Sequence, residues 1–179
     1  MTKPTIGFIG LGLMGSNMVE NLQKKGFEPI VMDLNKDAVA AVVARGATTV
    51  NTAAELATAS DIIMLCLTTS NVVESLVYAE DGILAGIKPG AVLIDFGTSI
   101  PASTRKIGAD LAAKGAGMID APLGRTPAHA KDVLVKEGDV INKGDEIALM
   151  GSTGRSTGSH VHFEVLKNGQ ALNPSKFIY

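Results

Sequence analysis

The sequence predicts an α/β fold, a doubly wound parallel sheet covered by helices on both faces and followed by a short C-terminal β-hairpin segment. Between residues 5 and about 120, short strands that are apolar throughout alternate with stretches of helical spacing. Such strands are typical of parallel sheets buried on both faces. The chain has 179 residues, of which 46% are hydrophobic and 19% charged, as in ordinary globular proteins.

Six apolar runs predict the strands of this sheet. Residues 5–9 form the first, residues 61–67 are the most strongly apolar, and residues 91–95 follow a Lys-Pro-Gly turn. Their length and flanking turn residues favour strands over helices. The predicted strands are 5–9, 28–32, 47–50, 61–67, 91–95 and 117–120.

Stretches with apolar residues three and four positions apart predict the helices between these strands. The first helix has Met14, Met18 and Leu22 on one face, and Gly26 ends it, as glycine commonly does. Pro101 marks the first turn of the last helix, where proline is favoured. The predicted helices are 14–25, 37–45, 52–59, 71–78 and 101–114.

After about residue 130 the helix-strand alternation gives way to short strands and Gly-Asp turns. Residues 133–135 and 146–150 are predicted strands, and residues 160–165 alternate like a strand with one solvent-exposed face. The Asn-Gly pair in Lys167–Gly169 indicates a hairpin turn. We therefore predict two units, an α/β domain at residues 1–130 and a β-rich segment at residues 131–179.

Charge, cysteine content and hydropathy argue against several binding partners and several classes of protein. The formal net charge is −2, which gives no electrostatic basis for binding nucleic acid or an anionic membrane. Cys66 is the single cysteine, so a disulfide-stapled secreted scaffold is excluded. No run approaches the ~20 apolar residues of a membrane span. The N-terminal residues lack the features of a signal peptide, which predicts a cytoplasmic protein.

The loop between the first strand and the first helix has the spacing of a phosphate-binding motif. Residues 10–15 read Gly-Leu-Gly-Leu-Met-Gly, where glycines allow a tight turn, close approach of a pyrophosphate and helix–strand packing. Asp33, at the end of the second strand, is placed to accept hydrogen bonds from ribose hydroxyls. It favours NAD over NADP, although Lys36 leaves NADP as an alternative. The other interpretation is that these are turn glycines and Asp33 caps a strand end.

Four segments resemble the 3-hydroxyisobutyrate (β-hydroxyacid) dehydrogenase family. Residues 7–18 resemble its N-terminal signature, and residues 66–69, Cys-Leu-Thr-Thr, resemble its cofactor-covering loop. Residues 95–101 are similar to its D-x-[SG]-T-x-x-P segment, and residues 120–127 to its substrate-binding strand and loop. The resemblance covers residues 4 to about 130 and implies a Rossmann-like NAD(P)-binding domain.

The resemblance also implies binding residues. Thr98 matches the residue near both nicotinamide and substrate. Gly124, Arg125 and Thr126 match the substrate loop and resemble sulfolactaldehyde-reductase-like members, in which Arg125 would pair with an anionic group; a solvated surface arginine is the alternative. The predicted cofactor-binding residues are Gly10, Leu11, Gly12, Leu13, Met14, Gly15, Asp33, Leu34, Asn35, Leu67, Thr68 and Thr98.

The implied reaction is hydride transfer between a nicotinamide and a small 3-hydroxy acid or its aldehyde. In the family a lysine in a G-x-x-x-K-x-x-N-type helix supplies the general acid/base. No lysine after residue 130 lies in such a pattern, so no catalytic residue is assigned and the domain is predicted to be truncated. Whether the chain is an enzyme is left open. Apolar surface left exposed would favour homo-oligomers.

Residues 129–179 resemble the C-terminal part of lysostaphin-like zinc endopeptidases, which cut peptidoglycan. His162 matches a zinc ligand, His160 a residue assisting the metal-bound water, and His129 a further active-site histidine. No histidine precedes residue 129, so the family's upstream H-x-x-x-D ligands are missing and zinc is not expected. The chain is therefore predicted to be a chimera. The alternatives to the dehydrogenase function are a peptidase fragment and a non-catalytic chimera whose β-rich segment covers the exposed surface.

Overall fold

The computed structural model describes residues 3–123, together with the backbone of residues 165–167 and 170–172. Six strands form one parallel sheet. They are β1 (Ile6–Ile9), β2 (Ile30–Met32), β3 (Thr48–Thr49), β4 (Ile62–Leu65), β5 (Val92–Asp95) and β6 (Gly117–Asp120). The helices between them are α1 (Leu13–Lys24), α2 (Lys36–Val43), α3 (Ala53–Ala59), α4 (Ser70–Tyr78), α5 (Ile83–Gly86) and α6 (Pro101–Ala113).

The strand order is β3-β2-β1-β4-β5-β6. Strands β2 and β3 therefore lie in succession on one side of β1. The chain then crosses back to place β4 on the other side of β1, followed by β5 and β6. This order confirms the predicted doubly wound α/β class. Between β1 and β4, the order reverses, and such a reversal opens a crevice at the carboxyl ends of the strands where ligands bind.

Within residues 5–120 the predicted elements are present with ends shifted by up to two residues, except that α5 was not predicted. The strands predicted at 133–135 and 146–150, and residues 160–164 of the strand predicted at 160–165, lie outside the described residues. Strand β6 has the predicted bounds, whereas β2 begins at Ile30 rather than at residue 28. Helix α5 has four residues, Ile83–Gly86. Four residues form a single helical turn, which is too short to show the apolar repeat that identifies longer helices.

Two apolar clusters hold the helices against opposite faces of the sheet. One contains Ile63, Leu65 and Leu93 of the central strands with residues of α3, α4, α5 and α6. The other contains Phe8 and Val31 of β1 and β2 with buried residues of α1 and α2. Phe8, Val31, Ile63 and Leu93 are fully buried. Consecutive residues of a strand face opposite sides, which explains why these strands are apolar throughout.

Helices α3 and α5 pack so closely that they require a glycine at their contact. A Cβ atom added to Gly86 would fall on the backbone of Ala54. Helix α3 begins with a capping box, in which the Thr52 side chain accepts from the Glu55 N–H and the Glu55 carboxylate accepts from the Thr52 N–H. Such a cap satisfies two of the free donors at a helix start.

Near the C-terminus, β7 (Val165–Lys167) and β8 (Gln170–Leu172) pair antiparallel, with Val165 opposite Leu172. Their pairing leaves two residues between them, in agreement with the predicted hairpin at residues 167–169. Within the part of the chain that the structure describes, no helix combines the length and apolar character needed to cross a bilayer.

Candidate functional site

The candidate site lies at the carboxyl ends of β1, β2, β4 and β5, around the point where the strand order reverses. The loop after β1 carries the three glycines of the predicted motif, and the loop after β2 begins with Asp33. The loops after β4 and β5 carry Leu67 and Thr98. The topology therefore brings the predicted cofactor-binding segments to one edge of the sheet.

Each of the three glycines has a different local requirement. Gly10 has φ +100°, in the left-handed region that side chains other than glycine rarely adopt. An added Cβ atom at Gly15 would fall on the Gly10 carbonyl oxygen, so Gly15 allows α1 to pack against β1. Gly12 has an extended conformation, φ −62° and ψ −168°, and no described residue other than its chain neighbours lies within 4 Å of an added Cβ atom. The backbone at Gly12 therefore faces open space, as a residue approached by a ligand must.

The start of α1 is available to an anion. Gly12 is its N-cap residue and provides no side chain to cap it, and its first turn carries no acidic residue. The N-terminal end of a helix carries partial positive charge on free N–H groups. A pyrophosphate beside Gly12 would meet this end of the helix.

Asp33 joins the end of β2 to the glycine-rich loop. Its Oδ2 accepts from the Leu11 N–H at 2.5 Å and its Oδ1 accepts from the Asn35 N–H at 2.7 Å. The side chain is half-buried, and its neighbour Leu34 is 93% exposed. The carboxylate therefore lies at the rim of the crevice, where it also fixes the loop backbone.

A cavity of about 330 Å³ opens beside Asp33, within the size range of small-ligand pockets. Four of its lining residues, Gly10, Asp33, Leu34 and Leu67, are among the predicted cofactor-binding residues. The others are not among them; they are Ile9, Met32, Val72, Ser75, Leu76 and Ala79. Val72 and Leu76 lie on one side of α4, and Ala79 follows as its C-cap residue. In sequence, such apolar spacing is indistinguishable from that of a helix side facing the core.

The loop after β4 starts directly beside the glycine-rich loop. The Cys66 N–H donates to the Ile9 carbonyl oxygen at 2.9 Å. Burial raises the pKa of the Cys66 thiol and the Asp95 carboxylate raises it further, while the Gly15 N–H, which donates to the thiol, opposes the rise. The thiol therefore stays protonated at neutral pH. Thr68, which follows in the loop, is exposed at the site.

A buried carboxylate holds the loop that carries Thr98. Asp95 is 0% exposed, and its side chain accepts from the Gly97 N–H at 2.9 Å and from the Ser99 hydroxyl at 2.6 Å. The Ile100 N–H donates to the Ser70 hydroxyl at 2.7 Å, which ties the same loop to α4. Thr98 is exposed, so these contacts present it to solvent at the carboxyl end of β5.

The remaining predicted residues have varied placements. The Leu11 side chain is buried in the cluster under α1 and α2, Leu13 is 79% exposed and Met14 is half-buried at the start of α1. Asn35 caps α2, because its side chain accepts from the Asp37 and Ala38 N–H groups.

Two sets of predicted residues lie outside the described residues. They are the substrate-loop residues Gly124, Arg125 and Thr126, and the candidate metal residues His129, His160 and His162. Among the residues that the structure describes, no group of three or more His, Cys, Asp or Glu side chains could hold a metal ion.

Comparison with known families gives two matches in this chain. The model of the NAD binding domain of 6-phosphogluconate dehydrogenase matches residues 5–135. The model of peptidase family M23 matches residues 123–174. The first match contains every described residue of the candidate site, and the second starts at residue 123, three residues after the end of β6, and overlaps the first up to residue 135.

Curated relatives match the same N-terminal part. The 3-sulfolactaldehyde reductase of Escherichia coli K12 is 40% identical over 125 residues, which are 70% of this chain and 42% of that protein. The 2-(hydroxymethyl)glutarate dehydrogenase of Eubacterium barkeri is 42% identical over 118 residues, 66% of this chain and 39% of that protein. The chain thus spans about two fifths of the length of these relatives.

Solved structures of dehydrogenases and related proteins also match about 70% of this chain and less than half of their own length. The 3-hydroxyisobutyrate dehydrogenase of Mycobacterium tuberculosis, determined with L-serine, is 27% identical with a TM-score of 0.68, over 74% of this chain and 44% of that one. Psf3 in complex with NADP⁺ and 2-OPP is 26% identical with a TM-score of 0.67, over 71% of this chain and 45% of that one.

Proposed function

Because this chain belongs to the family of the NAD binding domain of 6-phosphogluconate dehydrogenase, we propose that its crevice binds NAD(H) as the cofactor half of a 3-hydroxyacid dehydrogenase site. The observation that carries the proposal is the open backbone at Gly12, with the Asp33 carboxylate at the rim of the same crevice. This half of the site does not need a proton-transfer residue, since the described loops bind and orient the cofactor.

The described residues fit the pyrophosphate and the adenosine part of a dinucleotide. Gly12 and the start of α1 suit the pyrophosphate, and the half-buried Asp33 carboxylate suits ribose hydroxyls. The cavity walls formed by Leu67, Val72 and Leu76 are apolar and suit an adenine ring. When such a dinucleotide is bound, its nicotinamide would supply the group that accepts or donates a hydride.

Thr98 is the described residue proposed to face the reacting end. The Asp95 carboxylate accepts two hydrogen bonds from its loop, so the backbone on both sides of Thr98 is anchored before a ligand binds. We propose a small 3-hydroxy acid or its aldehyde as the substrate, as the relatives' names suggest for those proteins. The roles of Gly124, Arg125 and Thr126 belong to the same proposal.

We expect the purified chain to bind NADH without measurable turnover. Binding requires only the described crevice, whereas turnover requires a general acid/base, and the family lysine pattern is absent from this sequence. The measurement is titration followed by NADH fluorescence, beside an assay of NADH formation with L-serine and 3-hydroxyisobutyrate. Absence of binding up to millimolar concentration contradicts the proposal. Robust turnover would instead mean that another residue transfers the proton.

Replacing Asp33 by alanine is expected to weaken NADH binding by about 10–100-fold, because hydrogen bonds to a charged group contribute about 1.5–3 kcal/mol each. Asp33→Asn keeps an acceptor for the Leu11 N–H but removes the charge that repels a 2′-phosphate, so it should raise the affinity for NADPH relative to NADH. Titration of both variants with both cofactors measures these changes.

Asp37→Ala is the matched control for the Asp33 variants. Asp37 lies exposed in the first turn of α2, so its replacement removes one negative charge nearby without changing the crevice. Equal affinities for NADH in wild type and Asp33→Ala would show that the carboxylate has no part in binding.

The match to peptidase family M23 favours a second candidate, a zinc-dependent peptidase fragment at residues 123–174. His160 and His162 are its candidate metal residues. A catalytic zinc usually has three protein ligands, and the resemblance provides too few, so we expect purified protein to contain far less than one zinc per chain. Elemental analysis after dialysis measures this, and stoichiometric zinc would favour the peptidase.

A further inference from the structure

One half of the sheet has a face that no described helix covers. We call it the open half-face; it consists of Ile62, Val92, Ile94 and Ile119 on β4, β5 and β6, with Met64 at its inner border. Ile119 is 49% exposed, and Ile62, Val92 and Ile94 are half-buried. All five side chains are apolar, although a parallel sheet normally has both faces covered.

The strand register places these residues on one side. Ile62 pairs with Val92, and Met64 pairs with Ile94, which in turn pairs with Ile119. The residues between them, Ile63, Leu65 and Leu93, are 0% exposed and belong to the cluster under α3–α6 on the opposite side. The alternation therefore separates a covered face from the open half-face across the same three strands.

Topology explains why the cover is missing. Successive crossovers outward from β1 place α1 and α2 on one face, and the crossovers that build outward from β4 place the later helices on the other, because such connections are right-handed. Helices α1 and α2 cover Phe8 and Val31 on β1 and β2, and Met64 is packed at the edge of that cluster. Ile94 and Ile119 lie beyond it.

We propose that residues 124–179 dock on the open half-face and cover it. The described chain leaves the sheet at β6, its edge strand on this side, and Leu123 still donates to the Phe96 carbonyl oxygen at 3.2 Å. The segment that follows thus begins beside the surface it would cover. The match to a different family covers residues 123–174, and the match to the sheet domain's own family ends at residue 135, so most of the proposed cover resembles a different family from the sheet domain. The proposal does not depend on cofactor binding.

Cross-linking tests which chain covers the face. In a Cys66→Ser background, Ile119→Cys is labelled with benzophenone maleimide, irradiated and digested for mass spectrometry. We expect cross-links from position 119 to peptides of residues 124–179 within the same chain. Val43→Cys on α2, 37% exposed, is the matched control and should give none. Cross-links between chains would identify a second copy as the cover, and cross-links confined to residues 3–123 would leave the face open; either overturns the proposal.

Limited proteolysis provides an independent measurement. A docked segment is cleaved only when it detaches, so Ile119→Glu should speed trypsin cleavage after Lys131, Lys136 and Arg155 by roughly tenfold or more. Val43→Glu should leave the rate unchanged. Circular dichroism verifies that the sheet domain of each variant is folded. Equal cleavage of wild type and Ile119→Glu contradicts docking, and the cross-linking result remains decisive if Ile119→Glu fails to fold.

Discussion

Gly12→Asp is expected to abolish NADH binding while the protein keeps its melting temperature. Among the described residues, its two chain neighbours aside, nothing lies within 4 Å of a Cβ atom at this position, and its extended backbone suits any residue. Aspartate is also among the best residues at a helix N-cap. A negative charge about 4 Å from a phosphate charge costs about 4 kcal/mol at the dielectric of a protein surface, so we expect the Kd to rise by about a thousandfold.

Fluorescence titration and thermal melting of the same samples measure the two properties separately. Thr52→Asp is the control, since it adds the same charge at the N-cap of α3, outside the candidate site. It should leave the Kd unchanged. If Gly12→Asp binds NADH like wild type, the pyrophosphate does not approach Gly12. If Gly12→Asp melts early, the space beside Gly12 is not open.

Gly86→Ala is expected to destabilise the fold more than a usual single methyl addition. Its Cβ atom would fall on the carbonyl group of Ala54, and backbone atoms cannot move aside as a flexible side chain can. Forcing α3 and α5 apart should cost about 3 kcal/mol, the upper end for overpacking, and lower the melting temperature by about 6–12 °C for a protein of this size.

Gly108→Ala is the matched control and should raise the melting temperature, whereas Gly86→Ala should lower it. Gly108 lies within α6, and its nearest contacts would be Met118 atoms at 3.8 and 3.9 Å, an ordinary packing distance. Alanine is better than glycine in a helix interior by about 0.5–1 kcal/mol, so this variant should melt slightly later than wild type. Equal melting temperatures for the two variants would show that α3 and α5 are not in close contact.

The sheet was predictable because its central strands are apolar on both faces. Runs such as Ile62–Leu65 have no polar residue that would place them at a surface. The pattern therefore predicted both the α/β fold class and the positions of the strands along the chain. Helix α5 was not predictable from periodicity. The lining of the cavity by Val72 and Leu76 was also missed, because a helix side facing a ligand and one facing a core have the same apolar spacing.

The glycine motif predicted the site's position, whereas its hydrogen bonds needed the structure. Spacing indicated Asp33 as a ribose acceptor, and the structure adds that the same carboxylate holds the Leu11 N–H. Asn35 was predicted as a cofactor residue, and its side chain caps α2. The domain boundary at residue 130, the roles assigned to His160 and His162, and the cytoplasmic location stay predictions.

The pairing of β1 with β4 has a consequence for folding. It pairs Ile6 with Ile62, the largest separation along the sequence between paired residues in this sheet. The next largest is between Ile62 and Val92, in the pairing of β4 with β5. Closing the stretch of chain between Ile6 and Ile62 has the largest entropic cost of the sheet. The crevice forms only when the half of the sheet with β1–β3 pairs with the half with β4–β6. A dinucleotide bound in the crevice therefore stabilises the pairing of β1 with β4. At a hundred times its Kd it would add about 2.7 kcal/mol to the stability of the joined sheet, at the strand pair whose closure has the largest entropic cost.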